Sequence, residues 1–352
     1  MAVTSKQIAE LAGVSRGTVD RALHNRGRVN PEVAERIRQI AKELGYAPNA
    51  LGRALVKTSH GIRLGVILQS IETPTMRIVS QGVAQAAQEL KSTGVELMIR
   101  EISRLDAAQV LECMDQFVAE GARGLAISPN NAPEIRTRID ELHEANIPVI
   151  TLNSDAPGSK RLCFIGMDNY RAGQTAAGLM RLLLPKGGKV FPLTSHLNNT
   201  AHNSRLNGFT DTLSMETGDA PLTLLPFQPC FDRDDFAYEI TQHILASHPD
   251  LAGVYVAANG QRGACEAIRD AGLTGRVRVI AFDLTPPNDQ LLRDGNITFL
   301  LDQNAFEQGY RPPLLLSDYL IHQRRPEREL LYTDIRICTK YNTGAPIPSR
   351  PV

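Results

Sequence analysis

The sequence predicts a small all-α helix-turn-helix domain followed by a two-lobed α/β domain with doubly wound parallel sheets. Two short capped helices flank a glycine turn over residues 4–23, and apolar strands alternate with amphipathic helices from Gly61 onward. The chain of 352 residues has a formal net charge of zero, yet residues 1–58 contain ten basic and five acidic residues. We therefore expect a helical head at 1–47, a linker at 48–60 and a larger domain at 61–352.

The turn between the first two helices is predicted from capping residues. Thr4 can cap the first helix, with Gln7 completing a capping box. Gly13 provides the sharp turn, and Ser15 can cap the second helix. The residues expected to face the core are Ile8, Ala9, Leu11, Ala12, Val19, Ala22 and Leu23.

The outward face of the second helix is predicted to contact DNA. Arg16 and Gly17 stand at its N-terminal end, which is where such helices reach base edges. A basic segment also suits a polyanionic partner. The residues of the head expected to contact DNA are Thr4, Ser15, Arg16, Gly17, Thr18, Asp20, Arg21, Asn25 and Arg28. The alternative is a helical hairpin without a DNA partner.

A third helix and a linker follow the turn. Asn30 and Pro31 predict the start of the helix, and Gly45 predicts its end. In the linker, Asn49 can cap a helix that is too short to be stable alone in water.

The residues IAELAGVSRGTVDRALH and VNPEVAERIRQIAKELGYAPNALGRAL resemble the LacI/GalR family of bacterial transcription regulators. The family pattern is close to IAxxAGVSxxTVSRxLN followed by VxxxTRxRVxxAxxxLGYxPNxxARxL. The resemblance implies a homodimer that binds operator DNA as a repressor and responds to a small-molecule effector. It also implies DNA contacts from Asn49, Arg53 and Leu55, with Leu55 wedged into the minor groove.

Two departures from the family pattern in this stretch affect the expected DNA contacts. Asp20 replaces the usual serine of the reading helix, which indicates an unusual contact or a cytosine partner. Gly52 replaces the usual alanine of the hinge helix and should weaken that helix by ~1 kcal/mol.

The second region is predicted to contain two βαβ series. The first includes strands at 62–68 and in VELMIR, GLAIS and PVITLN; the second begins near Phe164 and includes KVFPLT, LTLLPF, GVYVAA and VRVIAF. Two sheets imply two lobes with a cleft between them. By resemblance, residues 61–345 have the periplasmic-sugar-binding-protein fold, in which the chain crosses between lobes three times. We expect crossings near Asp168, Gln303 and Glu327, so that one lobe contains 61–167 and 303–326 and the other 168–302 and 327–345.

Polar residues at strand ends predict the ligand site, because ligands of such sheets bind outside the carboxyl ends of the strands. Those residues are Ser70, Asn130, Asn153, Asp155, Asn259, Asp283 and Gln303. Asn, Asp and Gln can pair with adjacent hydroxyls, which favours a sugar or polyol. Each one alone could equally be a turn former or a helix cap.

The family resemblance identifies more precise roles in the ligand site. It implies that Arg205, within RLNGF, reaches the effector, and that Phe231 stacks on it. His202 lies one turn before Arg205 and could add a contact. Phosphorylated sugars and nucleobases are alternative effectors, but the nearby basic residues Lys160 and Arg161 are expected on a surface loop. The ligand residues Asn153, Asn259, Asp283 and Gln303 also match family positions, Asn153 where many members have aspartate.

Motifs of other function classes are absent from the sequence. It contains no GxGxxG after a strand, P-loop or nucleophile elbow, so a sugar-modifying enzyme is the less favoured alternative. The five cysteines form no CxxC or Cys/His cluster, and we expect no metal site or cofactor. With no signal peptide or membrane-spanning run, we expect a cytoplasmic protein. A sugar-binding transport module is the other alternative, but the basic N-terminal segment would have no role in such a protein.

Overall fold

The computed structural model describes residues 5–23, 29–43, 61–195, 199–215 and 220–343. The chain divides into two compact units, Met1–His60 and Gly61–Val352.

Three helices form the described part of the first unit: α1 Ser5–Ala12, α2 Arg16–Leu23 and α3 Pro31–Glu43. The predicted caps of α2 and α3 are confirmed. Ser15 Oγ accepts a hydrogen bond from the Thr18 amide at 3.2 Å, and Asn30 Oδ1 accepts one from the Glu32 amide at 2.9 Å. Gly13 has a φ of +64°, a conformation that costs glycine little, so the chain turns sharply between α1 and α2.

The core of the helical unit consists of small and branched apolar side chains: Ile8, Ala9, Ala12, Val19, Ala22, Ala34, Ile37 and Ala41. The expectation that Leu11 faces this core is wrong, since Leu11 is 56% exposed. At 3.6 residues per turn, Leu11 lies roughly 100° away from the direction shared by Ile8, Ala9 and Ala12.

The second unit alternates strands and helices. Among the described residues, its strands are β1 Ile62–Leu68, β2 Val95–Glu101, β3 Gly124–Ile127, β4 Val149–Leu152, β5 Cys163–Met167, β6 Gly188–Thr194, β7 Leu222–Leu224, β8 Gln228–Pro229, β9 Leu251–Val256, β10 Arg278–Phe282, β11 Phe299–Asp302, β12 Leu330–Thr333 and β13 Arg336–Cys338. The helices are α4 Pro74–Lys91, α5 Ala107–Ala119, α6 Pro133–Glu144, α7 Asn169–Leu183, α8 Thr200–Met215, α9 Asp234–Ser247, α10 Gln261–Asp270, α11 Pro286–Arg293 and α12 Ala305–His322.

These strands form two sheets, each at the centre of one lobe. The first sheet has the order β12-β5-β4-β3-β1-β2, with every pairing parallel. The second has the order β13-β11-β10-β9-β6-β7, with β8 also paired to β6. The edge strand β13 runs antiparallel to β11, which makes the second sheet mixed at that edge.

The chain passes between the sheets three times. It leaves the first sheet after β5 at Asp168 and returns after β11 at Gln303. The third crossing was expected near Glu327, and this is wrong: β12 still pairs with β5, with Leu330 opposite Phe164, so the chain crosses between β12 and β13. Leu330 and Tyr332 are 40% and 46% exposed, so β12 lacks the buried apolar run that marks its neighbours β5, β4, β3 and β1 in the first sheet. The first lobe therefore comprises 61–167 and 303–333, and the second 168–302 and 334–343.

Two glycines allow α7 and α8 of the second lobe to pack closely. A Cβ on Gly173 would lie 2.1 Å from the carbonyl oxygen of Arg205, and one on Gly208 would lie 2.0 Å from that of Tyr170. Because no larger residue fits at either position without a backbone shift, these glycines fix the place of Arg205 relative to α7.

Candidate functional site

The described part of the predicted DNA-contacting face lies on α2. Gly17 and Arg21 are exposed and Thr18 is half-buried. Thr18 Oγ1 lies 2.9 Å from Ser15 Oγ and accepts a hydrogen bond from Arg21 Nη2 at 3.3 Å, so these three side chains form one exposed polar cluster. Two further predicted residues belong to α2, but their side chains lie outside the description: Arg16 and Asp20. The remaining predicted contacts lie outside the described residues: Thr4, Asn25, Arg28, Asn49, Arg53 and Leu55.

A large cavity of about 790 Å³ opens between the two lobes of the second unit. Four predicted ligand residues line it: Ser70 and Asn130 from the first lobe, and Phe231 and Asn259 from the second. Asn259 Nδ2 donates to Asp232 Oδ1 at 3.1 Å, which orients its amide. The volume is within the range typical of small-molecule sites.

Four predicted ligand residues have backbones in the left-handed region. Ser70, Asn153, Phe231 and Asp283 have φ values of 55°, 61°, 57° and 70°. Such left-handed conformations are costly for residues other than glycine and cluster at functional sites. Asn153 and Asp283 directly follow β4 and β10, Ser70 lies two residues after β1, and Phe231 lies in a turn after β8.

Three predicted ligand residues form a hydrogen-bonded chain beside the crossings. Gln303 Nε2 donates to Asp283 Oδ1 at 2.5 Å, and Gln303 Oε1 accepts from Asn153 Nδ2 at 3.5 Å. Asp283 Oδ2 accepts from the hydroxyl of Thr75 at 2.9 Å. Asp283 and Gln303 are buried, whereas Asn153 is half-buried and lines a second, small cavity of about 400 Å³. These three predicted residues therefore form one polar cluster that links both lobes.

Arg205 is held on three sides in the second lobe and is only 2% exposed. Its Nε donates to Asn169 Oδ1 at 2.8 Å, and its Nη1 donates to the carbonyl oxygen of Ala257 at 3.3 Å. The guanidinium carbon lies 4.0 Å from the centroid of the Phe282 ring, a cation–π contact. Burial lowers the pKa of Arg205, while the negative charge of Asp283 acts in the opposite direction.

His202 occupies the first turn of α8, and it is not among the residues that line either cavity. Its neighbours Thr200, Ala201 and Ser204 line the small cavity, together with Asn153. Arg205, Asp283 and Gln303 are likewise absent from both linings, so the role of His202 in the site stays a prediction.

The basic residue Arg161 was expected on a surface loop, and this is wrong. Its side chain is 3% exposed and donates two hydrogen bonds to Asp155, at 2.6 and 2.7 Å, and one to Glu329 at 2.7 Å. It is buried because β12, beside β5, brings Glu329 across it. Asp155 is thus a structural ion-pair partner.

The sequence predictions missed several polar residues of the cluster. Thr75, Asn169 and Gln308 contact predicted ligand residues but belong to helices, where no strand-end signal marks them. Within the described residues, three polar side-chain atoms are buried without a hydrogen-bond partner near the strand ends: Asn130 Oδ1, Thr194 Oγ1 and Ser195 Oγ. Unpaired buried atoms of this kind call for a partner such as water or ligand.

The described residues contain neither a metal-binding cluster nor a helix that could span a membrane. No group of three or more His, Cys, Asp or Glu side chains is placed there to hold a metal ion. In the same part of the chain, no helix combines the length and apolar character needed to cross a membrane.

Two protein-family models match this chain. Residues 4–49 match the bacterial regulatory proteins of the lacI family, and residues 64–324 match the periplasmic binding protein domain. The chain belongs to the LacI/GalR family. In this LacI-family chain, the helical unit corresponds to the DNA-binding domain, and the two lobes correspond to the periplasmic-binding-protein domain.

Individual relatives agree with this domain organisation. The ribose operon repressor of Bacillus subtilis (strain 168) is 25% identical over 316 residues, which is 89% of this chain and 90% of that protein. The ribose import binding protein RbsB of Escherichia coli (strain K12) is 26% identical over 243 residues, 68% of this chain and 78% of that protein. A sugar-binding protein of a sugar ABC transporter from Bacillus halodurans has a similar structure, with a TM-score of 0.71 and 26% identity, covering 80% of this chain and 98% of that one.

Proposed function

We propose that this chain is a homodimeric transcriptional repressor, acting in the cytoplasm, whose DNA affinity changes when a neutral sugar binds between the lobes. The observation that carries the proposal is the hydrogen-bonded chain of Asn153, Gln303 and Asp283 beside the crossings, in a chain with a LacI-family DNA-binding domain. Donors and acceptors at several positions suit a ligand with many hydroxyls.

The relatives support a sugar as the effector. One is named for the ribose operon and another for ribose import, and similar structures contain D-arabinose and D-allose. The charge around the large cavity supports a neutral molecule. Its lining includes three arginines, Arg104, Arg233 and Arg262, and three carboxylates, Glu72, Asp232 and Asp234. This balance gives no excess of positive charge for a phosphate.

The ligand site adjoins the segments that connect the lobes. Gln303 is itself the second crossing, and Asp168 at the first crossing lines the small cavity together with Asn153. A sugar that binds one arrangement of the lobes more tightly than another shifts their equilibrium by the difference in binding free energy. In a dimer, such a shift changes the spacing of two DNA-binding domains.

We also propose that the chain is not an enzyme. The three carboxylates Asp155, Asp168 and Asp283 are engaged separately: by Arg161, by the Arg171 amide, and by Thr75 and Gln303. Each carboxylate thus has its own partner, and the three do not form an acid/base pair with one another.

The proposal is tested with the full chain in two assays. A thermal-shift screen with D-ribose, D-allose, D-xylose, D-arabinose, D-glucose and D-galactose should give a rise in Tm for at least one sugar. Fluorescence anisotropy with duplexes from the promoter regions beside its own gene should show binding that weakens with salt and changes with that sugar. Arg205→Met should abolish the sugar-induced rise, while Arg205→Lys, which keeps the charge, should retain part of it. No rise with any sugar would refute the sugar effector, and no DNA binding at low salt would refute the repressor.

A further inference from the structure

Gln308 joins three parts of the first lobe that meet at the crossings. It belongs to α12 and is fully buried, with a relative exposure of 0%. Its Nε2 donates to the backbone oxygen of Gln303 at 2.8 Å and lies 3.4 Å from Thr333 Oγ1. Its Oε1 accepts from Asn153 Nδ2 at 3.0 Å. Moving this buried side chain would break all of these hydrogen bonds, so its orientation is tightly constrained.

The orientation of each amide in this cluster follows from groups that can only accept hydrogen bonds. The carboxylate of Asp283 accepts from Thr75 at one oxygen and from Gln303 Nε2 at the other, so Gln303 directs its Oε1 toward Gln308. The backbone oxygen of Gln303 likewise requires the Nε2 of Gln308. The Oε1 of Gln308 is then left to face Asn153, which can pair with it only through its NH2 group.

Asn153 therefore uses its donors inside the protein. Its Nδ2 contacts both Gln308 Oε1 and Gln303 Oε1, at 3.0 and 3.5 Å. Among the described residues, no hydrogen bond occupies its Oδ1, and the half-buried side chain lines the small cavity. The carbonyl oxygen is consequently the atom of this side chain that a bound molecule can reach.

We infer that Gln308 is a positioning residue that holds the amide of Asn153 with its carbonyl oxygen, rather than its NH2 group, available to the effector. The inference rests on the proposed function for the identity of the site. The effector must then offer a hydrogen-bond donor at this place, such as a sugar hydroxyl. Asn153 thus supplies the acceptor that a carboxylate would supply, without its charge.

The test uses Asn153→Asp, alone and combined with Gln308→Leu, in the full chain. The new carboxylate places an oxygen where the NH2 group was, opposite the Oε1 atoms of Gln308 and Gln303. Two facing acceptors repel, so the charged form is disfavoured in the folded state. The folded chain then binds a proton more readily than the unfolded one, and stability relative to the parent falls as pH rises above about 4.

We expect Asn153→Asp to lower the Tm by several degrees at pH 8 and by much less at pH 4.5. In the Gln308→Leu background the same substitution should lower the Tm at pH 8 by less than half as much, because one facing acceptor is gone. The charged side chains around the cluster, Asp155, Arg161 and Asp283, are the same in both backgrounds. Asn207→Asp, which adds a carboxylate on the exposed side of α8, is the matched control and should change the Tm little.

The opposite orientation of the amides gives a different result. If the NH2 group of Gln308 faced residue 153, the new carboxylate would gain a donor, and Asn153→Asp would keep or raise the Tm at pH 8. An equal loss of Tm in both backgrounds would also overturn the inference, since Gln308 would then not be coupled to Asn153. These outcomes need no sugar, so they remain decisive even if the six sugars all fail to bind. Where one sugar does bind, Gln308→Leu should weaken it at least tenfold, and unchanged affinity would contradict the positioning role.

Discussion

The hydroxyl of Thr75 donates a hydrogen bond of 2.9 Å to the carboxylate of Asp283, which joins the first lobe to the second. Thr75 stands in the first turn of α4, and Asp283 follows β10. Both are buried, with exposures of 7% and 8%. A residue predicted to bind the effector therefore also holds the two lobes together.

Replacing Thr75 with valine tests the contribution of this bond. The side chain keeps its shape but leaves the buried Asp283 oxygen without a donor, so we expect the free energy of unfolding to fall by about 2 kcal/mol. Urea unfolding of the full chain measures the loss. Thr75→Ser keeps the hydroxyl and should lose much less, and equal losses for the two variants would show that the hydrogen bond is not the cause.

A second prediction concerns the glycine contact between α7 and α8. Gly173→Ala should destabilise the chain by about 1–3 kcal/mol, because its Cβ would meet the Arg205 carbonyl oxygen at 2.1 Å and force the helices apart. Gly178→Ala, on the same helix, meets nothing within 4 Å and should stabilise the chain by about 1 kcal/mol.

The two glycine variants also differ in their expected effect on the ligand site. Because the backbone of Arg205 is displaced only in Gly173→Ala, only that variant should reduce the sugar-induced rise in Tm. Thermal unfolding with and without sugar gives both comparisons. Loss of stability in both variants would mean that helix packing does not distinguish the two positions.

Sequence periodicity predicts most of this fold because most strands are buried on both faces. The run IRLGVIL predicts a strand at 62–68, and β1 occupies Ile62–Leu68. The same reasoning misses two of the edge strands: β12 exposes Leu330 and Tyr332, and β13 has only three residues. The third crossing lies between those two strands, so its predicted position was wrong.

Apart from Arg205, which the family resemblance indicates on α8, the polar residues of this cluster were predictable only where a strand leads into it. Asp283 and Gln303 follow β10 and β11, and both lie in the cluster between the lobes. Thr75 and Gln308 reach the same cluster from helices. Their side chains approach it through the packing of α4 and α12 on the sheet, which depends on contacts distant in sequence.

The carboxylate of Asp302, at the end of β11, is expected to make stability depend on pH. Burial raises the pKa of Asp302, the positive charge of Arg336 opposes this, and the negative charge of Asp283 adds to it. A raised pKa means that the folded state binds a proton more readily than the unfolded state. The stabilising contribution of the protonated group is therefore present at low pH and is lost as pH rises from about 4 toward the folded-state pKa.

Asp302→Asn removes this titration while keeping an oxygen that can accept from the Leu284 amide, as Asp302 Oδ1 does at 3.4 Å. We expect the variant to gain stability relative to the parent as pH rises from 4 to 7. Urea unfolding at several pH values measures the difference, with the exposed Asp294→Asn as a control. A difference that does not change with pH would contradict the raised pKa of Asp302.

The buried ion pair of Arg161 should be essential for stability, because its loss would leave a largely buried carboxylate without a positive partner. Arg161→Met replaces the guanidinium with an apolar chain of similar length and leaves Asp155, whose side chain is 15% exposed, without its positive partner. Removing one member of a buried pair costs about 3–5 kcal/mol, so we expect a loss of that size in urea unfolding.

The second carboxylate bound to Arg161 provides a matched control for that loss. Glu329 has a side chain that is 70% exposed, and water can replace the contact that Glu329→Gln weakens. An exposed partner contributes about 0–1 kcal/mol, so this variant should remain close to the parent. If the loss of stability in Arg161→Met were as small as that in Glu329→Gln, the ion pair with Asp155 would not be what stabilises the β4–β5 connection.

Asp155→Asn separates charge from packing, since it removes one charge but keeps a side chain of the same shape. Its loss should fall between those of the other two variants, because one amide oxygen still accepts from Arg161.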